Sequence, residues 1–229
     1  MKIIVFNKKD YNNNKTFIEL LKLKIYLGVK KKKGTIKINK YLYGFRNDFA
    51  IFNMHYTIIQ LKRVLKIISC YNLRKKNILF LGSKKIFNDK KSKINFSDIL
   101  NGTPHNFLIQ SLWVRGLLFN FKKVIKNLNI KLSNLYILNL NNEKSNFLKK
   151  FSGILKMKQL PRLIVILDDF LLNEILTEAS KLKIPLICFL DGKYYFDSIN
   201  YKICGNFFYN KTLFLKNFIF RILFNILKY

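Results

Sequence analysis

A chain of 229 residues with 43 Lys plus Arg against 12 Asp plus Glu carries a net charge of +31, yet half of its residues are apolar and 15% are aromatic. That apolar content excludes a disordered basic tail, which lacks the surface needed to offset the entropy of ordering. The unbalanced charge argues against a free-standing enzyme with an acidic surface, because so many like charges repel one another unless a polyanion, nucleic acid or an anionic membrane, neutralises them.

The length suits one large domain or one domain with an insertion. Lys (37), Asn (27), Ile (30), Phe (22) and Tyr (12) dominate, whereas Gly (9), Ala (2), Arg (6) and Pro (3) are scarce. The abundant types have codons rich in A and T, as expected of an extremely A+T-rich genome such as an organelle's. Part of the lysine excess is therefore mutational, but codon bias does not explain why acids are fewest where lysines are densest. Residues 1–100 carry a net +19, residues 101–160 a net +9 and residues 161–229 only +3. A polyanion is expected to touch the first 160 residues, with the last third mainly scaffold.

In chain order, residues 1–10 show neither a signal-type apolar core nor an Arg/Ser-rich amphipathic stretch, so no signal or transit peptide is expected and an organellar protein of this kind would be made inside the organelle. Residues 16–24 read as a short helix. Lys30, Lys31, Lys32 and Lys33 then form a run that cannot be buried, either a solvated loop or one that contacts RNA. Thr57 and Gln60 form a capping-box pattern, and Ile58, Leu61, Leu65 and Ile68 make one apolar stripe of a helix starting there. Ile78-Leu79-Phe80-Leu81-Gly82 is a continuous apolar run, the mark of a strand buried on both faces. A basic helix over 117–132 and a second helix within 141–158, with Phe147, Leu148, Phe151, Ile154 and Leu155 at helical spacing, form a hairpin. Residues 163–167, the helix marked by Leu171, Leu172, Ile175, Leu176, Ala179 and Leu182, and residues 185–190 make a βαβ unit with a parallel sheet and right-handed crossover. Residues 201–204 offer a further strand. The apolar stretch 213–227 is interrupted by Lys216, Asn217, Arg221 and Asn225 and reads as a terminal helix packed on the sheet, with a membrane-surface helix as the alternative; no run reaches the ~18 residues needed to span a bilayer. The fold class is thus α/β, a doubly wound parallel sheet (flavodoxin-like or Rossmann-like, three layers) with an inserted, shortened helical hairpin. The organisation is one domain over 1–229, with the hairpin at about 118–158 and a basic N-terminal extension and loop over 1–48.

The nine glycines build neither GxGxxG nor GxxxxGK[ST], and GxSxG is absent. His55 and His105 are too far apart for a local metal pair. Asp168, Asp169 and Asp191 follow strands, where open parallel sheets bind ligands. With no partner base, nucleophile or Gly-rich loop beside them, they read as caps of the next turn rather than as a site. Cys70, Cys188 and Cys204 show no disulfide framework or CxxC pair and read as small apolar residues of a reducing compartment. No catalytic residue, metal ligand or cofactor is expected. Trp113 beside Arg115 is either buried structure or a stacking pair for RNA.

Several segments in order resemble the bacterial-type small-subunit ribosomal protein 2 family. Leu20-Leu21-Lys22, Gly28 and Tyr41-Leu42-Tyr43-Gly44-Phe45-Arg46-Asn47 are similar to its N-terminal signature. Phe52-Asn53-Met54 with Thr57 resembles a helix start, and Ile78-Leu79-Phe80-Leu81-Gly82-Ser83-Lys84-Lys85 a strand end. Trp113-Val114-Arg115-Gly116-Leu117-Leu118-Phe119-Asn120 resembles the family's Trp-Leu-Gly-Gly-x-Leu-Thr-Asn stretch. Leu160-Pro161, Glu178-Ala179, Lys183-Ile184-Pro185, Asp191, Ile203 and Gly205-Asn206 complete the series. The chain departs from the pattern at the lysine run after Gly28, at Arg115, Arg162, Gly192-Lys193 and Cys204, and in a shorter segment between Asn120 and Leu160. The resemblance implies a non-catalytic structural constituent of the small ribosomal subunit. Its partners would be small-subunit rRNA and neighbouring small-subunit proteins, with no membrane and no small-molecule substrate, on an organellar (plastid-type, apicoplast or mitochondrial) ribosome.

Residues expected to meet RNA are Lys30, Lys31, Lys32, Lys33, Arg46, Lys84, Lys85, Lys90, Lys91, Trp113, Arg115, Lys122 and Lys123, the lysines tracking phosphates and the arginines offering two-pronged contacts. The rival readings are a nucleotide- or sugar-binding α/β enzyme using the strand-end Asp residues, and a peripheral membrane protein using the C-terminal helix.

Overall fold

The structure is a computed structural model that describes residues 15–22, 24–30, 40–82, 104–109, 113, 115–138, 140–167, 172–190, 192 and 197–207. Its centre is a five-stranded, wholly parallel sheet. The strands are β4 (Ile78–Leu81), β5 (Asn106–Ile109), β6 (Leu163–Ile166), β7 (Leu186–Leu190) and β8 (Tyr201–Cys204), in the spatial order β5-β4-β6-β7-β8. Renumbered within the sheet this is 2-1-3-4-5, the flavodoxin-like doubly wound order. β4, β6 and β7 are buried at every position, because both sheet faces are covered. Side chains alternate between two cores. Ile78, Phe80, Leu163, Val165, Ile187 and Phe189 point into one. Leu79, Leu81, Ile164, Ile166, Leu186 and Cys188 point into the other.

Helices α1 (Lys15–Lys22) and α2 (Met54–Leu73) cover the first face. Helix α5 (Leu172–Lys181) covers the second through Ile175, Leu176 and Ala179. The second face is also met by α3 (Phe121–Ile137) and α4 (Asn141–Leu155), which pack on each other as the expected hairpin. α4 lies directly on edge strand β5, where a Cβ at Gly153 would overlap the Leu108 backbone.

Helix α2 does not begin at Thr57. Its N-cap is Asn53, whose Oδ1 accepts from the backbone N–H groups of His55 (3.1 Å) and Tyr56 (3.5 Å), the usual satisfaction of first-turn donors. Thr57 is buried in the first turn, and its hydroxyl donates to the Cys204 carbonyl at 2.7 Å. The residue expected as a cap instead ties α2 to the far edge of the sheet.

A second departure concerns residues 27–52. Strands β1 (Leu27–Lys30), β2 (Leu42–Arg46) and β3 (Phe49–Phe52) form an antiparallel sheet in the order β1-β3-β2, the first two within the stretch 1–48 expected as extension and loop. The connection between β2 and β3 is Asn47-Asp48, with φ of 47° and 63°. Positive φ at both central residues is what a type I′ hairpin turn demands, and Asn and Asp tolerate it better than most. β5 is likewise a strand that apolar periodicity does not announce. Among the described residues, no helix is long and apolar enough to cross a membrane.

Candidate nucleic-acid interface

The small sheet buries one face and presents the other. Ala50 and Phe52 are buried, and Gly28 fits closely beside both, with a Cβ there meeting Phe52 at 3.0 Å. On the opposite face Phe49 pairs in register with Lys30 on one side and with Arg46 on the other. Cross-strand partners point to the same face, so the three strands assemble a cation–aromatic–cation row. Lys30 Nζ lies 5.5 Å from the Phe49 ring centroid, within the range of a cation–π contact. All three side chains are exposed; Phe45 on β2, also exposed, pairs with Ala50 and so belongs to the other face. Such a row can offer two phosphate-binding charges and an aromatic face for a base or ribose. Sequence reasoning chose Lys30 and Arg46 separately and missed Phe49. The readable signal was Asn47-Asp48 between two apolar runs, which fixes Arg46 opposite Phe49.

Trp113 is placed elsewhere. It is only 6% exposed, and its indole Nε1 donates to Glu178 Oε1 at 2.9 Å. Glu178, itself buried, also accepts from the backbone N–H of Gly116 (2.8 Å) and of Leu118 (2.9 Å). Of the two readings open for Trp113, the geometry matches the structural one: the ring belongs to the core beneath α5, and no base reaches it without local opening.

Arg115 is exposed, but its fork is engaged. Nε and Nη2 both donate to Glu174 Oε1, at 2.7 and 2.6 Å. The hydrogen bond to Glu174, then its charge, raises the Arg115 pKa further, so the guanidinium stays cationic. An exposed pair of this kind is weakened by solvent screening and can be exchanged for a phosphate.

Lys122 and Lys123 stand exposed in the first turn of α3. That turn contains no acid, and Asn120 makes no side-chain cap bond. Two cations at the positive end of a helix are unfavourable unless an anion is near. Lys31, Lys32, Lys33, Lys84, Lys85, Lys90 and Lys91 lie outside the described residues, as do Asp168, Asp169, Asp191 and the stretch 213–227.

Cys188 and Cys204 are buried and reduced, as expected of small apolar residues, whereas Cys70 is exposed on α2. Burial pushes the Cys204 thiol up to about 12. Among the described residues, no group of three or more His, Cys, Asp or Glu could hold a metal ion.

The comparisons with known proteins agree with one another. The family model described as ribosomal protein S2 matches residues 20–215. The small ribosomal subunit protein uS2 of Ehrlichia canis (strain Jake) is 26% identical over 204 residues, covering 83% of this chain and 68% of its own length. That of Hahella chejuensis (strain KCTC 2396) is 27% identical over 206 residues, covering 82% and 78%. That of Bartonella tribocorum (strain CIP 105476 / IBS 506) is 28% identical over 204 residues, covering 83% and 74%.

Proposed function

This chain belongs to the ribosomal protein S2 family and is a structural protein of the small ribosomal subunit, and from that premise we propose how it holds small-subunit rRNA. The row Lys30–Phe49–Arg46 is the observation that carries the reading. It sets two charges and one ring side by side on a rigid sheet, within the portion of the chain that holds most of the net charge.

The mechanism is electrostatic seating. Each phosphate met by a lysine or arginine releases condensed counterions, so affinity falls steeply with salt and carries little sequence information. Phe49 adds stacking, which tolerates any base. Lys122 and Lys123 at the root of α3, and Arg115 after exchange from Glu174, extend the contact. Lys31, Lys32, Lys33, Lys84, Lys85, Lys90 and Lys91 are assigned to it by sequence. Trp113 acts from beneath, by fixing the segment that carries Arg115. In this reading the chain is one domain with an inserted hairpin, it has no reaction of its own, and neighbouring small-subunit proteins complete its surroundings. The A+T-rich composition supports an organellar ribosome, plastid-type or mitochondrial; the relatives themselves are bacterial.

Co-sedimentation tests the reading. The protein should travel with small subunits and with their naked rRNA at low salt and dissociate as salt rises. Free protein at the top of the gradient at low salt would refute it.

A further inference from the structure

The described structure contains a second cationic surface, at the other end of the strands. The segments 71–77, 156–162 and 180–186 lead into β4, β6 and β7 and hold eight bases and no acid. Because the strands are parallel, all three segments reach the same edge of the sheet. There they surround an open cleft of about 610 Å³, lined by Tyr71, Lys76, Arg162 and Lys183, with Pro161 and Pro185 among its walls. Lys76, Arg162 and Lys183 are all exposed. Asn77 ties the cleft together: its carbonyl accepts from the Arg162 N–H at 2.8 Å, and its side-chain Nδ2 donates to the Gln159 carbonyl at 3.4 Å.

Helix ends explain part of this charge and not all of it. Lys76 and Lys183 follow the C-termini of α2 and α5, where cations are favoured by the helix dipole. Arg162 sits seven residues beyond the end of α4, at no helix terminus. The segments that precede β4, β6 and β7 are basic with no acid among them, so the amino edge is a surface that attracts an anion.

The small sheet lies at the carboxyl edge. A Cβ at Gly192, just past β7, would meet Phe52 at 3.2 Å, and the Asn206 N–H, just past β8, donates to the Ile25 carbonyl at 2.8 Å. The small sheet and the cleft therefore lie toward opposite ends of the central strands, of which β7 spans roughly 17 Å.

We propose that the cleft of Lys76, Arg162 and Lys183 is a second docking surface for an RNA sugar–phosphate backbone, so that this chain bridges two separate segments of rRNA, one at each end of its central strands. The inference rests on the rRNA-binding reading above and adds to it a second contact that the sequence-chosen residues do not include. Ribose and base would lie against Tyr71 and Pro185, with phosphates on the three cations.

The test compares the full chain with the variant Lys76→Gln/Arg162→Gln/Lys183→Gln, and with a charge-matched variant on exposed positions of α1 and α2, Lys22→Gln/Arg63→Gln/Lys66→Gln. Binding to small-subunit rRNA is followed across a salt series and by hydroxyl-radical footprinting. The cleft variant should show a log–log salt slope shallower by about two, as expected for two to three lost phosphate contacts at ~0.7–0.9 each. It should lose one block of RNA protection and keep the block that depends on Phe49. Far-UV circular dichroism and melting should match the unaltered chain. An unchanged slope and footprint would overturn the proposal, as would an equal effect of the charge-matched variant, which would mean bulk charge alone. Retained RNA protection with loss of a cross-link to a neighbouring protein would assign the cleft to protein and also overturn it. If the unaltered chain itself fails to bind rRNA, the functional reading fails; if it binds and the cleft variant binds identically, only this inference does.

Discussion

Glu178 and Trp113 are 65 positions apart in sequence and joined by a 2.9 Å hydrogen bond in the buried layer under α5. The same carboxylate holds the Gly116 and Leu118 amides, so one side chain organises the whole segment that leads into α3. Glu178→Ala would leave three buried or part-buried donors without their acceptor. At about 1–3 kcal/mol for each orphaned group, less than additively, the loss should be on the order of 3 kcal/mol. Glu178→Gln should cost less, because one acceptor oxygen remains. Trp113 is the sole tryptophan, so denaturant melts can be read on its emission. The native spectrum of the Ala variant should shift to the red as water reaches the indole.

Three helices end on a lysine in a left-handed conformation: Lys24, Lys75 and Lys183, with φ of 54°, 52° and 54°. In each case the following N–H reaches back to close the helix: Ile25 to Leu20 O, Lys76 to Tyr71 O and Ile184 to Ala179 O. Glycine is the residue this closure normally selects. Lys24→Gly and Lys75→Gly should each raise stability by about 0.5–1 kcal/mol, and a chemical-denaturation midpoint shifted upward without a change in slope would verify it. Lys183→Gly should stabilise equally and yet weaken RNA binding, because Lys183 also lines the amino-edge cleft.

Thiol accessibility should divide the cysteines. A small alkylating reagent at neutral pH should modify Cys70 alone, with Cys188 and Cys204 reacting only on unfolding, as peptide mass mapping would reveal. Cys204 also makes stability pH-dependent. Its thiol ordinarily titrates near 9 and is pushed up to about 12 in the fold. The folded state therefore keeps a proton that the unfolded state releases. This contribution is intact below pH ~9 and declines as pH rises toward 12. Cys204→Ala should lack that part of the alkaline decline; identical melting curves for the two chains between those pH values would contradict it.

The row on the small sheet separates stacking from charge. Phe49→Ala should weaken rRNA binding by about 1–3 kcal/mol with an unaltered salt slope, because stacking releases no counterions. Lys30→Gln should instead lower the slope by roughly 0.7–0.9. A filter-binding titration at several salt concentrations distinguishes them.

Much of this architecture was written locally. The continuous apolar runs at 78–81, 163–166 and 186–190 are buried on both faces, and only a parallel sheet covered by helices on both sides provides that environment. The stripe on α2 and the spacing in α4 likewise predict their buried faces. The short strands of residues 27–52 were not legible by the same means. Each is four or five residues long and half-exposed, so its apolar pattern is weak, and the signal lay in the Asn47-Asp48 turn instead.

By itself the sequence determined the excess of positive charge, its concentration in the first 160 residues, the doubly wound class and the absence of familiar catalytic motifs, because composition and short-period burial are properties of neighbouring residues. The tertiary structure alone decided that Lys30 and Arg46 flank Phe49, that Trp113 is closed off by Glu178, and that bases from three distant segments gather at the amino edge of the strands. Those facts depend on strand register and on the common direction of parallel strands, which place residues far apart in the chain beside one another and leave no trace in local spacing.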